Sequence, residues 1–216
     1  MKRGPTTHLS ASYRNRRSST GELQMRKAQL VLAPIIRCIL RPHHALLRTE
    51  VARAAGLIGR VVVEQRSPLC HTLLPLHRLF EEFRRDLDDH LDRQEALFPS
   101  LLDLELALWG GEEPVTAEED VSEVLRLLRY GQIAITGALD EMRELTDNFI
   151  APPDACKCYG ELLDLLAQIQ MEVASEVRME GTMFFPQAAE LLERALQSGA
   201  GSHPIAARTA RGLQVV

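Results

Sequence analysis

The chain has 216 residues, of which 45% are apolar and 5% aromatic, and its formal net charge is −5. This length suits one domain with a real core, and the abundance of Leu and Ala favours helices over sheets. The acidic balance argues against a nucleic-acid-binding protein. No apolar run reaches the roughly 18 residues of a membrane span, because Pro34 and Arg37 interrupt the best candidate. We therefore expect a helical protein that binds neither nucleic acid nor membrane.

Both ends of the chain lack the periodicity of a helix. Residues 1–27 are rich in Ser, Thr and Arg, and we predict a flexible basic arm there that would suit an acidic partner. A flexible Gly/Ser-containing tail is predicted over residues 198–216. These boundaries leave residues 28–197 for the folded domain.

Four cysteines are scattered along the chain: Cys38, Cys70, Cys156 and Cys158. Their spacing favours a reducing cytoplasm over a disulfide framework, so we expect a cytoplasmic protein. The last two form a C-x-C, which is a weak metal signal. We interpret them as ordinary thiols near the start of a helix.

Glycine and proline residues, which end or interrupt helices, divide the domain into four long segments. Gly110–Gly111 and Pro114 separate the two halves, and Pro152–Pro153 precedes the last segment. Each segment carries a stripe at three- and four-residue steps, which is the period of one helix face. In chain order the stripes are Ile36, Leu40, His44, Leu47, Val51, Ala54 and Ile58; Leu76, Phe80, Phe83, Leu87, His90, Gln94, Leu97, Leu101, Leu104 and Leu108; Val121, Leu125, Leu128, Gln132, Ile135, Leu139 and Met142; and Tyr159, Leu162, Leu166, Ile169, Val173, Glu176, Glu180 and Met183.

Each stripe is apolar except near its middle. One helix of each half has a single polar residue there, and the other has an i,i+4 pair that projects from one face. These six residues are His44, His90, Gln94, Gln132, Glu176 and Glu180. Buried Glu is almost never without a partner, because an isolated charge is costly to bury. The sequence therefore predicts a metal ion or a closed hydrogen-bond network at the centre of the domain.

The two halves of the domain also repeat. Gln94 and Glu180 lie 86 positions apart, and Leu97-Phe98-Pro99 recurs as Phe184-Phe185-Pro186 with the prolines 87 apart. This spacing predicts an up-down four-helix bundle with a pseudo-twofold internal repeat, one helix pair in each half.

With these residues in view, the chain resembles the hemerythrin-like iron–sulfur cluster repair di-iron proteins over roughly residues 35–195. The resemblance is carried by HHALLRTEVARA, LFEEFRRDLDDHLDRQEALFP, LDEMRELTDNFIAPPDACKCY and EVRMEGTMFFPQAAELLE. It implies an all-α hemerythrin-like bundle with iron as the cofactor and iron–sulfur proteins as partners. The implied function is repair of iron–sulfur clusters under nitrosative or oxidative stress.

In that family four His and two Glu hold two irons. The first and third helices each give one His, and the second and fourth each give a His-x-x-x-Glu pair. Three positions of this chain keep the family's residue: His44, His90 and Glu180. Three replace it: Gln94 stands for a Glu, and Gln132 and Glu176 each stand for a His. A neutral Gln amide is a poor iron ligand.

The second helix is also one residue shorter than the family's between Glu95 and Leu97. Glu95 is therefore an alternative to Gln94 as the carboxylate of that helix. The resemblance implies a single iron ion or a weakly held pair. The competing interpretation is a non-catalytic sensor or interaction bundle that has lost its iron, and whether the protein is an enzyme stays open. His43, which lies off the stripe beside Pro42, is expected to be exposed.

Overall fold

The computed structural model describes residues 30–64, 70–110 and 118–200, which form four helical rods. Rod α1 comprises the α-helix Leu32–Ile35, the π-helical turn Ile36–Leu40 and the α-helix Arg41–Glu64. Rods α2 and α3 are the α-helices Cys70–Gly110 and Glu118–Leu145. Rod α4 comprises the α-helix Lys157–Met179, the π-helical turn Glu180–Phe184 and the α-helix Phe185–Ala200. The predicted basic arm and residues 201–216 of the predicted tail lie outside the described residues.

Contacts between the rods show that neighbours run antiparallel. As residue numbers rise along one rod, the numbers of the residues that they contact on the neighbouring rod fall. These contacts are Val31–Glu105 and Arg48–Asp88 between α1 and α2, His44–Glu176 and Arg60–Glu161 between α1 and α4, and Gln132–Glu180 and Asp140–Gln170 between α3 and α4. The prediction of an all-α bundle of four helices is confirmed. No helix within the described ranges has the length and apolar character needed to cross a membrane.

The apolar core is divided into two clusters along the bundle axis. The first apolar cluster takes buried residues from segments 47–61, 73–91, 135–149 and 158–173. The second apolar cluster takes them from segments 32–40, 97–104, 121–128 and 184–195. Every rod passes from one cluster to the other at the polar residue or pair that interrupts its stripe. The polar residues therefore form a layer between two apolar cores.

The fourth stripe departs from its prediction after Glu180. A three-residue step placed Met183 in the core, but the fully buried residue is Phe184 and Met183 is only half-buried. The reason is the π-helical turn Glu180–Phe184, because a π-helix bonds i to i+5 and so accommodates one extra residue. The α-helical period of 3.6 residues therefore does not predict the buried positions beyond Glu180.

The same turn explains why the two halves of the repeat differ by one residue. Glu180 to Pro186 is one residue longer than Gln94 to Pro99, and α2 is α-helical throughout. Phe98 and Phe185 nevertheless both lie in the second apolar cluster. The π-helical turn thus absorbs the additional residue without turning the end of α4 away from the core.

A carboxylate from α2 fixes where α1 begins. Glu105 is buried, and its Oε1 accepts hydrogen bonds from the backbone N–H groups of Val31 at 2.7 Å and Leu32 at 3.1 Å. The first N–H groups of a helix have no partner within the helix, and they form its positive end. Glu105 therefore caps α1 and anchors it to α2 beyond the second apolar cluster.

We expect Ile169→Ala to lower the free energy of unfolding by about 2–5 kcal/mol, as truncations of buried Ile do. Ile169 is fully buried in the first apolar cluster. Met171 lies two residues along the same rod and is 67% exposed, so Met171→Ala is the matched control and should change stability by less than about 0.5 kcal/mol. Urea unfolding of both variants measures the difference. Equal effects would contradict the assignment of the buried face.

Candidate metal centre

The six polar residues of the stripes converge between the two apolar clusters. Five of them have relative exposures of 3% or less: His44, His90, Gln94, Glu176 and Glu180. Gln132 is half-buried. Each residue lies on a long helix, and the helical turns before and after it bury Leu, Ile, Val or Phe. Because these turns are anchored in the core, the polar side chains have little freedom to move away. Within this layer the side chains form two groups.

The first group is centred on His44, whose ring lies between two carboxylates. Its Nε2 is 3.1 Å from Oε1 of Glu176, and its Nδ1 is 2.9 Å from Oε1 of Glu95. Burial of the ring is the largest influence on the pKa of His44 and lowers it, but the hydrogen bonds and charges of Glu176 and Glu95 together outweigh burial. The pKa therefore lies above the usual value for histidine. The ring also stacks on Phe98 of the second apolar cluster at 6.0 Å between centroids.

The second group is centred on Glu180. Its Oε1 is 3.2 Å from Nε2 of His90, and its Oε2 accepts a short hydrogen bond from the side-chain amide of Gln132. Both oxygens of this fully buried carboxylate are therefore engaged. Gln132 is therefore held in the layer as a hydrogen-bond donor to Glu180.

Several buried atoms of the layer have no hydrogen-bond partner among the described residues. They are Oε1 and Nε2 of Gln94 and Nδ1 of His90; Oε2 of Glu176 also accepts no hydrogen bond, although Nε2 of His43 lies 3.2 Å from it. A buried polar group left without a partner costs about 1–3 kcal/mol. Gln94 is the extreme case, because its whole side-chain amide is buried and unpaired. These are the atoms that a bound ion or small ligand would satisfy.

His43 was expected to be exposed, and this prediction is wrong. Its side chain is only 12% exposed, and its Nε2 lies 3.0 Å from the backbone carbonyl of Glu172 and 3.2 Å from Oε2 of Glu176. The sequence did hold a signal, because both His43 and His44 lie three or four residues from Leu40 and from Leu47. The periodicity alone did not separate the central position from its flank.

Glu95 lies on the outer side of this layer. Its side chain is 41% exposed and contacts the Nδ1 side of His44, whereas Glu176 contacts the inner nitrogen. Next to it Arg48 forms ion pairs with Asp88 at 3.1 Å and Asp92 at 2.6 Å. A carboxylate in this position orients the imidazole through the nitrogen that faces away from the core.

Gly131 of α3 leaves the space that the imidazole ring of His90 occupies in the polar layer. A Cβ atom at this position would lie 3.0 Å from Nδ1 of His90. The glycine of α3 thus lets the imidazole of α2 pack directly against the neighbouring backbone. The ring is held on its other side by Glu180, which limits how far it could retreat.

Two observations bear on whether this layer fits a metal ion. His44 and Glu176, and His90 and Glu180, each place a nitrogen and an oxygen 3.1–3.2 Å apart, close to the roughly 3 Å between neighbouring ligands of an ion with bonds of about 2.1 Å. However, no three His, Cys, Asp or Glu side chains within the described ranges are grouped so as to hold a metal ion. The donors instead form two groups, His44 with Glu95 and Glu176, and His90 with Glu180. The described residues therefore offer no set of donors for two bridged irons.

Comparison with known proteins gives one distant similarity. The iron–sulfur cluster repair protein ScdA of Staphylococcus haemolyticus is 23% identical to this chain over 152 residues. The matched region covers 70% of this chain and 64% of that protein, which is less than two thirds of its length. No family model and no solved structure matches the chain. The similarity gives weak support to the resemblance drawn from the sequence.

We expect Gly131→Ala and Gly137→Ala to have opposite effects, although both lie within α3. Alanine usually stabilises a helix interior by about 0.5–1 kcal/mol relative to glycine, and nothing lies within 4 Å of a Cβ at Gly137. At Gly131 the contact with His90 should turn this gain into a loss of about 1 kcal/mol or more. Urea unfolding of the two variants measures the difference. A stabilised Gly131→Ala would show that the His90 ring moves freely.

The raised pKa of His44 predicts how stability depends on pH in protein treated with a chelator. Because the folded pKa exceeds the value of about 6.5 in the unfolded chain, the stabilisation is fully present below about pH 6.5 and is lost as the pH rises through the folded pKa. The free energy of unfolding should therefore fall as the pH rises above about 6.5. This fall should be smaller in His44→Gln and unchanged in His77→Gln, a control at an exposed position of α2. An unchanged fall in His44→Gln would contradict the assignment.

Proposed function

We propose that this chain is a hemerythrin-like bundle, related to iron–sulfur cluster repair proteins, that binds one exchangeable iron ion in its polar layer. Its role would be to support cluster repair or iron supply under oxidative or nitrosative stress. The distant similarity to ScdA and the four sequence segments that carry the family resemblance support this proposal. The cytoplasmic location and the iron–sulfur partners stay predictions.

The observation that carries the proposal is the buried side chain of Gln94. An amide with no partner at the centre of a bundle is unfavourable, and the two His–carboxylate pairs lie in the same layer. A cation would accept electron pairs from Gln94 Oε1 and from the paired donors. It would leave the Nε2 donor of Gln94 to an acceptor bound with the ion, such as water.

The chain's own residues have separable roles in this proposal. His44, His90, Glu176 and Glu180 would hold the ion, with Gln94 as a neutral oxygen donor. Glu95 would accept a hydrogen bond from Nδ1–H of His44, which would leave the inner nitrogen Nε2 without a proton and able to bind a metal. Bound iron would supply a labile ion for transfer to a damaged cluster. The first and second apolar clusters exclude bulk water from both sides of the layer.

A second candidate function is a metal-free sensor or interaction bundle. It is favoured by the way the polar groups satisfy each other, since both ring nitrogens of His44 and both oxygens of Glu180 are engaged by side chains. Such a layer would keep the helices in register without any ion. A measurement of iron binding therefore distinguishes the iron-binding bundle from the metal-free bundle.

We expect purified protein to bind about one Fe(II) per chain in anaerobic equilibrium dialysis and to lose it to a moderate chelator, because a donor set this small binds weakly. Glu180→Gln should abolish binding, since it keeps the shape of a fully buried side chain and removes its charge. Glu172→Gln is the matched control on the same rod, because Glu172 is partly exposed and lies outside the polar layer. Thermal unfolding with and without Fe(II) gives a second readout.

The triple variant Gln94→Glu, Gln132→His and Glu176→His tests whether restoring the implied ligands creates a site for two irons. It restores the residues that the family resemblance implies, so it should bind two irons per chain. No iron on the natural protein together with two on the triple variant would favour the metal-free bundle. Two irons retained by the natural protein after chelation would overturn the proposal of a reduced site. In that case Glu95 becomes the carboxylate of the second helix.

A further inference from the structure

A second chemically reactive feature lies far from the polar layer, where α4 begins. The Sγ atoms of Cys156 and Cys158 are 2.7 Å apart, in direct contact. The sequence alone gave these residues no role beyond ordinary thiols. Two cysteines with one residue between them do not always meet, because the intervening backbone has to turn their side chains toward each other.

The backbone at this junction accounts for the contact. Cys156 caps the N-terminus of α4 in an extended conformation, with φ −66° and ψ 155°. The helix starts at Lys157, so Cys158 already lies in the first helical turn. The carbonyl of Cys156 accepts hydrogen bonds from the N–H groups of Tyr159 and Gly160 at 3.0 and 3.3 Å. This abrupt change from extended to helical backbone places the two sulfurs side by side.

The two thiols differ in their surroundings. Cys158 is buried in the first apolar cluster beside Tyr159, whereas Cys156 is only partly buried at its edge. Lys157 between them is 92% exposed and faces Glu161 at 3.5 Å. A reagent from solution therefore reaches Cys156 more easily than Cys158. This asymmetry, one accessible thiol and one shielded thiol in contact with it, is the arrangement that thiol–disulfide exchange needs.

We propose that Cys156 and Cys158 form a reversible intramolecular disulfide by exchange with a low-molecular-weight disulfide, with Cys156 as the attacking residue and Cys158 as the resolving residue. In a reducing compartment such a bond is transient and serves catalysis or redox sensing. The inference does not depend on the proposed iron site, because neither cysteine belongs to the polar layer.

The exchange balances with a glutathione couple as the probe. The Cys156 thiolate attacks the disulfide of oxidised glutathione, which forms a mixed disulfide and releases one glutathione thiolate. The Cys158 thiolate then attacks the Cys156 sulfur, which forms the Cys156–Cys158 bond and releases the second glutathione. The protein loses two electrons and two protons, and oxidised glutathione takes them up as two reduced molecules. No metal is needed in either step.

The experiment incubates the full chain in glutathione buffers of varied ratio, quenches with acid, alkylates the remaining thiols and locates the bond by peptide mass spectrometry. Two of the four thiols should be lost together, with a mass decrease of about 2 Da and no retained glutathione. Dithiothreitol should reverse the change. The same titration on chelator-treated and Fe(II)-supplemented protein should give the same midpoint, which separates this inference from the proposed function.

Three single variants assign the roles. Cys158→Ser should accumulate one glutathione on Cys156, because the resolving thiol is absent. Cys156→Ser should react at least about tenfold more slowly, because the remaining thiol of the pair is buried. Cys38→Ser is the control, since Cys38 is exposed on α1, and it should form the bond as the natural protein does. A fourth variant, Cys158→Ala, repeats the Cys158→Ser test without a polar group in the core, and circular dichroism confirms that each variant is folded.

Two results would overturn the proposal. The first is a natural protein that collects glutathione without forming the Cys156–Cys158 bond. The second is a bond that joins either cysteine to Cys38 or Cys70 instead. Loss of both thiols only when Zn²⁺ or Cu⁺ is present would assign the pair to metal binding and would equally refute the exchange reaction.

Discussion

The fold depends on one constraint, which is the burial of a polar layer between two apolar clusters. Glu176 and Glu180 are as buried as the leucines around them, and an isolated carboxylate in such a place would be far too costly to keep ionised. Each is therefore matched by an imidazole from another rod, His44 from α1 or His90 from α2. These pairs fix the register of α4 against both rods, because a slip of one residue would separate every pair at once. The division of the core into two clusters follows from this layer.

Two of the three residues that depart from the ligand pattern implied by the family resemblance have partners in this layer. Where the resemblance implies an imidazole, Glu176 supplies a carboxylate that is the partner of His44. Where it implies a second imidazole, Gln132 supplies an amide that donates to Glu180. Both residues thus act as hydrogen-bond partners within the layer. Burial lowers the pKa of His44, but the hydrogen bonds and charges of Glu176 and Glu95 outweigh burial and raise the pKa above the usual value. Gln94 alone gains no partner. The layer is thus largely self-satisfied, apart from the amide of Gln94 and Nδ1 of His90.

Periodicity predicted the fold well and the fine structure of the layer less well. The stripes gave four rods and nearly all of their buried residues, because the hydrophobic pattern repeats over many turns and tolerates local error. The failure at Met183 arose because a π-helical turn changes the period within a single turn, and no residue type in Glu180–Phe184 marks it. The burial of His43 was not predicted because His43 and His44 each lie three or four residues from both Leu40 and Leu47, so both positions fit the helical period. The position of Glu95 beside His44 depends on the angle between α1 and α2, which no local pattern contains.

The polar layer and the Cys156–Cys158 pair are held apart by the length of one helix. Cys158 and Glu176 are 18 residues apart on α4, which corresponds to about 27 Å at 1.5 Å per residue, and the first apolar cluster lies between them. The cysteines are therefore too far away to ligate an ion in the polar layer. Any influence of one on the other has to pass through the packing of Tyr159, Leu162, Leu166, Ile169 and Val173. Because these residues anchor α4 in a dense core, a new bond at the start of the helix should be absorbed locally, and the two chemistries should operate independently.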